Sequence, residues 1–364
     1  MKQLPELVFV QLGVAPSEHL WANLRHTLEI IPYVSITVIV DQDSLANAPI
    51  NSGWNYWTYE RKEVISSIVR EKSQDKNFRD GFWSYTLERL FAFAQYHQIY
   101  PDKKLIHVES DIFFLPGFPI EKFMSIDKLA WLRVDYERDV AALIYSPSGV
   151  DAKFLETELV RELKHYRHTT DMHLLFQIRE KNPERVEVLP SLSADSYTMG
   201  TEAVKLNGPL HKQLSVNYSL FDGVFDPAAI GIWLTGSDPR NSYGATMYCA
   251  TEFILKNGSF VNPAAGFFTY SREQGLVLNT IESEVRVWNL HVHSKDMRIF
   301  ADSWEIYLTK LISKSANKRS YKKRSLKVLI WLVRHNLKNK TLIRFTAAHP
   351  IFGPILSIYR KFKG

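Results

Sequence analysis

The amino-acid sequence predicts an α/β protein with a mainly parallel central sheet flanked by helices, and three features of the chain lead there. Short apolar runs rich in β-branched residues alternate with longer segments of helical period through the first half of the chain. Glycine or acidic residues close three of these runs, at Leu12-Gly13, Asp41 and Glu109-Ser110-Asp111. With 364 residues, 45% of them hydrophobic, the chain is long enough to bury a sizeable core.

Taken in order, residues 7–14 read as a first strand, and Ser17 as the N-cap of a helix reaching about residue 31. A second strand spans 33–40 and a third 54–59. Residues 82–100 form a long helix with Leu87, Leu90, Phe91 and Ala94 on one stripe. Next comes a short strand carrying Ile106 and Val108, which ends at Glu109-Ser110-Asp111 before the apolar run Ile112-Phe113-Phe114-Leu115. Residues 129–134 read as another strand, 150–166 and 170–181 as helices, 187–189 as a short strand and 191–208 as loop. A short helix is expected over 227–234, with Pro227 at its first position and Asp226 as N-cap. There is no internal repeat.

Alternating strands and helices put ligands beyond the carboxyl ends of the strands. Leu12, Gly13, Asp41, Glu109 and Asp111 all fall at such ends, so one crevice could take a nucleotide and a cation. Side chains one residue apart on extended backbone share a direction, and two hard oxygen donors suit Mg²⁺ or Mn²⁺. Acidic triplets also cap helices and form turns, and Asp41-Gln42-Asp43 and Asp135-Tyr136-Glu137 compete for the same reading. A downstream segment decides among them. Asn289, His291 and His293 alternate with Trp288, Leu290 and Val292 as in a half-buried strand, and Lys295 extends the polar face if the strand persists. Imidazole completes a carboxylate metal site and an ammonium neutralises a leaving diphosphate, although a His-x-His pair is also common in cores and on surfaces. The two histidines lie about 7 Å apart along an extended strand, so one of them reaches the metal, with His293 nearer the strand end.

These residues resemble the GT-A glycosyltransferases, nucleotide-sugar-dependent enzymes with a Rossmann-like sheet and a DxD metal motif. Glu109-Ser110-Asp111 matches the place of that motif, and His291-Val292-His293-Ser294-Lys295 that of a late histidine segment returning to metal and diphosphate. Residues 221–231, with Gly236-Ser237-Asp238-Pro239-Arg240-Asn241, are similar to bacterial surface-polysaccharide transferases. The resemblance covers about residues 5–300, with Glu109 departing from the motif's first position, so the metal role carries over more directly to Asp111. It implies Mn²⁺ or Mg²⁺ held by Glu109, Asp111, His291 and His293, and a nucleotide-diphosphate sugar donor near Leu12, Gly13, Asp41, Glu109 and Lys295. Asp222 and Asp226 are the candidates for a catalytic base, though a helix cap is the stronger reading of Asp226. Tyr197, Tyr218, Trp233 and Tyr243 either stack on sugar faces or pack in the core. The expected domains are a catalytic body over 1–305, with a nucleotide-binding half to about 130 and an acceptor-side half beyond it, and a tail over 306–364.

The tail differs in charge from the body. Residues 306–364 hold 15 Lys and Arg and no Asp or Glu, leaving 30 basic against 39 acidic side chains in the rest. Leu326, Leu329, Ile330, Val333 and Leu337 recur at helical spacing between basic flanks, which suits an amphipathic helix lying on anionic lipid; a solvated basic helix is the plainer alternative. The apolar run 328–333 is far short of a membrane span. A single cysteine, Cys249, and an N-terminus without signal-peptide character lead to the expectation of a cytoplasmic protein, peripheral on the inner face of the membrane. An acidic body argues against nucleic acid as partner. No GxGxxG or GxxxxGK[ST] pattern follows the first strand, which excludes dehydrogenase and P-loop readings. The rivals are a sugar nucleotidyltransferase, whose triphosphate-gripping loop residues 13–17 lack, and a non-catalytic membrane- or polyanion-binding protein. For the transferase the expected acceptor is a glycan or lipid-linked glycan.

Overall fold

A computed structural model describes residues 4–13, 17–45, 49, 53–74, 81–134, 138–193, 209–236, 268–279 and 283–316. The triplet at 135–137, Tyr197, Tyr243, Cys249 and the amphipathic segment beyond 316 lie outside them. Strands run in the order β1 (Glu6–Gln11), β2 (Ile36–Val40), β3 (Asn55–Thr58), β4 (Leu105–Val108), β5 (Ile112–Phe114), β6 (Leu129–Arg133), β7 (Asp139–Ser146) and β8 (Val186–Leu189). After them come β9 (Phe268–Ser271), β10 (Gly275–Asn279), β11 (Glu284–Val287) and β12 (Asn289–His291). Helices are α1 (Glu18–Ile30), α2 (Gln42–Leu45), α3 (Glu63–Lys72), α4 (Phe82–Ile99), α5 (Gly149–His165) and α6 (Asp171–Lys181). They continue as α7 (Pro209–Ser215), α8 (Tyr218–Phe221), α9 (Ala229–Thr235) and α10 (Trp304–Ala316).

The central sheet has seven strands in the order β3-β2-β1-β4-β7-β6-β8. Only β7 opposes the rest, because it returns directly from β6 as a hairpin. The predicted α/β class, with a mainly parallel sheet between helices, is therefore the observed one. Period-two alternation sorts the side chains into layers: Leu7, Phe9, Val38, Ile106 and Val108 face α1, whereas Val8, Ile39 and Leu105 face α4, α5 and α6. Burying each large aliphatic or aromatic side chain of these layers contributes about 1.5–3 kcal/mol. Strand order reverses between β1 and β4, and their carboxyl ends open the crevice in which doubly wound folds bind ligands.

A third layer covers one flank of this crevice. β12 pairs antiparallel with β5, the β9–β11 meander packs beside it, and α9 and α10 close the core formed by Phe113, Leu115, Ile230, Leu290 and Val292. Three expectations shift here. The helix placed at 227–234 starts instead at Ala229, because Asp226 reaches its amides from three residues ahead. The strand placed through Val287–His293 breaks at Trp288, where the chain leaves β10 to pair with β5. The boundary at 305/306 falls inside α10, whose Trp304, Leu308 and Leu311 are buried against the body.

Candidate metal centre

Glu109 and Asp111 follow β4, but a turn brings them together. The Glu109 N–H donates to Ala142 O at 3.1 Å as the last rung towards β7, and the Ile112 N–H closes on Glu109 O at 3.1 Å. From there β5 is gripped on both edges. On one side the Val292 N–H donates to Asp111 O at 2.8 Å and β12 continues the ladder. On the other, α1 presents polar side chains at i, i+4 and i+7. His19 Nε2 lies 3.3 Å from the Ser110 hydroxyl, and the Asn23 amide donates to Ser110 O and Ile112 O at 3.1 and 2.7 Å. The His26 Nε2–H donates to Phe114 O at 2.8 Å. Spaced one helical turn apart, these groups serve β5 where a neighbouring strand would.

His291 is delivered by β12 and fixed by Asp226. Both Asp226 oxygens are engaged: Oδ1 accepts the N–H groups of Ala228 and Ile230 at 3.0 and 2.9 Å, and Oδ2 those of Gly231 and His291 at 2.7 and 3.0 Å. Gly231 sits so close that a Cβ there would lie 1.9 Å from His291 O. The His291 Nδ1–H donates to Pro227 O at 3.1 Å, which leaves Nε2 facing both carboxylates, 3.5 Å from Glu109 Oε2 and 3.5 Å from Asp111 Oδ1. Such an outer hydrogen bond on the far nitrogen is the usual way of orienting a ligating imidazole. One donor atom from each of Glu109, Asp111 and His291 lies within 4.8 Å of the others.

His293, favoured by its place near the strand end, is not in that trio. The strand stops, the His293 N–H turns back to His291 O at 2.8 Å, and the two rings stand 6.2 Å apart. Lys295 arrives by the same turn rather than by continued extension: its N–H donates to Val292 O, its φ is 52°, and its Nζ donates to Asp111 Oδ2 at 2.8 Å. Arg89 of α4 pairs through Nη2 with Glu109 Oε1 and, at 2.6 Å, with Asp171 Oδ2 at the start of α6. Burial opposes the charge on Asp111, but Lys295 and His291 outweigh it and hold the carboxyl well below the usual range. For His291, burial opposes the imidazolium, yet Asp111, Glu109 and Asp226 hold its pKa up at about 9.

The remaining candidates separate. At the neighbouring strand ends, the Gly13 N–H donates to Asp41 Oδ2 at 2.7 Å, while Ser44 binds Asp41 Oδ1 and Arg61 pairs with Oδ2 at 3.0 Å. Gly13 has φ 79°, and a Cβ would strike the Tyr85 ring at 2.1 Å, so glycine is required. Leu12 beside it is buried in the α4 layer. Asp222 ends α8 with φ 52° and an exposed side chain. Asp226, with four amides on its two oxygens, is occupied as a structural anchor; burial pushes its carboxyl upward while those amides pull the other way. Trp233 is buried in the third core, and Tyr218 packs at that core's margin. Sequence reasoning missed Arg89, Asp171, Arg61 and the His19/Asn23/His26 stripe. A charged residue set between Leu87 and Leu90 on an apolar helix was the one signal available for Arg89.

No known protein family and no curated protein matches the sequence. Among solved structures, mouse xyloside xylosyltransferase 1 overlaps 51% of this chain and 85% of its own, with a TM-score of 0.36 and 13% identity. The galactosyltransferase LgtC, in complex with donor and acceptor sugar analogues, covers 58% of this chain and 83% of its own at a TM-score of 0.36 and 11% identity. The bifunctional glycosyltransferase WbbM covers 52% and 39% at 0.32 and 12%.

Proposed function

We propose that the protein is a metal-dependent glycosyltransferase that moves a sugar from a nucleotide-diphosphate sugar to a glycan or lipid-linked glycan in bacterial envelope polysaccharide synthesis. The observation that carries this reading is the meeting of the Glu109/Asp111 pair with His291, remote from it in sequence, at the carboxyl ends of the strands where the sheet order reverses. Two carboxylates and an oriented imidazole fit Mn²⁺ or Mg²⁺, with Mn²⁺ better matched to the nitrogen donor. Bound there, such an ion supplies positive charge for the diphosphate of the donor.

The chain's own groups divide the remaining work. Asp111 and Glu109 offer oxygens, and His291 offers Nε2 because Pro227 O holds its other nitrogen. Lys295, at the crevice and in contact with Asp111, brings an ammonium to the place where charge develops on the departing nucleoside diphosphate. Gly13 and Asp41 border the same strand ends and would approach the nucleoside, with Arg61 holding Asp41 in place. Among the described residues no helix is long and apolar enough to cross a membrane. The basic segment beyond α10 would hold the acidic body at the anionic inner membrane surface.

A nucleotide-sugar hydrolysis assay tests the reading. Slow, metal-dependent release of nucleoside diphosphate by the wild type, lost in Asp111→Asn and retained in Asp43→Asn and Glu137→Gln, supports it. Pyrophosphate release from a nucleoside triphosphate would indicate a nucleotidyltransferase instead, and neither reaction would favour a binding protein.

A further inference from the structure

The contacts of Arg89 are unusual for a guanidinium between two carboxylates. Its side chain is 15% exposed, and Glu109 and Asp171 beside it are 11% and 3% exposed. Arg–carboxylate pairs commonly form two parallel hydrogen bonds. Here a single nitrogen, Nη2, serves both partners, and the buried Nε has no acceptor. Asp171, fixed as the first residue of α6 behind the Thr170 cap, shares that nitrogen with Glu109. Only Oε1 of Glu109 is therefore taken, and Oε2 is left facing His291.

We propose that Arg89, restrained by Asp171, is a positioning residue that fixes Glu109 as a one-oxygen donor to the divalent cation. The inference rests on the metal reading of the Glu109–Asp111–His291 trio. Arg89 sets the rotamer of Glu109 from behind, and Asp171 keeps Arg89 from closing on the second oxygen. This pair explains how a glutamate, with one more rotatable bond than aspartate, holds a defined geometry at the site.

Charge and position predict opposite signs, which makes the proposal testable on the full chain with Mn²⁺ alone, followed by electron paramagnetic resonance. Removing a cation beside the site by Arg89→Met would tighten Mn²⁺ binding if charge alone mattered. Loss of positioning weakens it, by about tenfold, roughly the effect of removing an outer-shell partner. The double variant Arg89→Met with Asp171→Asn leaves net charge unchanged and strands no buried Asp171 charge, so it serves if the single variant does not fold; about tenfold weaker binding is again expected. Arg89→Lys should recover part of the loss. If folded Arg89→Met and the double variant bind Mn²⁺ as tightly as wild type, while Asp111→Asn does not, the positioning role is refuted and the metal site stands. If Asp111→Asn also binds normally, the metal reading fails and takes this role with it.

Discussion

Replacing Asp226 by Asn separates a structural carboxylate from a catalytic one. Each Asp226 oxygen accepts two backbone N–H groups, at 2.7 to 3.0 Å. An asparagine amide, whichever way it is turned, sets an NH₂ against two of those donors. Two buried N–H groups then lose their acceptor, at about 1–3 kcal/mol each, and the other two exchange a charged acceptor for a neutral one. The expected loss is about 4 kcal/mol, which lowers the melting temperature by roughly 5 °C in a chain of this size. His291 is anchored by one of the four bonds, so Mn²⁺ affinity should fall with it. Thermal melts followed by circular dichroism, paired with Mn²⁺ titration, measure both effects. A variant that melts within about 2 °C of wild type and binds Mn²⁺ normally, yet transfers no sugar, would place Asp226 at the reacting atoms and refute the anchoring argument.

Gly231→Ala sets a methyl 1.9 Å from His291 O, a backbone atom that no rotamer change can clear; it should cost about 1–3 kcal/mol and weaken Mn²⁺ binding, read by the same melts and titration. Acid sensitivity should trace in part to His26, whose burial, against the pull of the Phe114 carbonyl, depresses its pKa to about 4, alongside His97 and His107, which burial also lowers. The His26 share is complete above the unfolded value near 6.5 and is lost as pH falls towards 4, on the order of 3 kcal/mol; His26→Gln should make that limb of a stability-against-pH curve shallower. Deleting residues 317–364 should release the protein from anionic vesicles without lowering its melting temperature, whereas cutting before Trp304, which with Leu308 is buried in the third core, should unfold it. Co-sedimentation and melting of the two truncations distinguish these outcomes.

Much of this architecture is legible in the sequence because burial is written in period. Strands β1, β2 and β4 show β-branched residues where both faces are covered, and the alternation of Asn289 and His291 with Leu290 survives in β12. β7 is just as fully buried and yet escaped notice, because Ala141 and Ala142 interrupt the β-branched and aromatic run that marks a strand. The α1 stripe escaped because His19, Asn23 and His26 look like a solvent face at helical spacing, and only the fold reveals that β5 lies across it. Arg89 and Asp171 stand 82 residues apart and meet only once α4 and α6 pack on the same sheet face. Lys295 reached the site by an unexpected route, since a left-handed turn is not visible in the residues Val292 to Lys295.

The placement of charge shows why the centre belongs to the folded body as a whole. Asp111 and Glu109 are supplied by the central sheet, and burying two carboxylates side by side costs several kcal/mol unless cations offset them. Arg89 answers Glu109 from the α4 layer, while Lys295 and His291 answer Asp111 from the third layer. Neither carboxylate is balanced by its own strand. Docking of β12 onto β5 therefore does two things at once: it supplies the imidazole, and it removes the repulsion that would otherwise hold the carboxylates apart or protonate one of them. One Asp226 oxygen accepts from Gly231 in α9 and from His291 in β12, so the packing of the third core and the placement of His291 at the candidate metal centre depend on the same carboxylate.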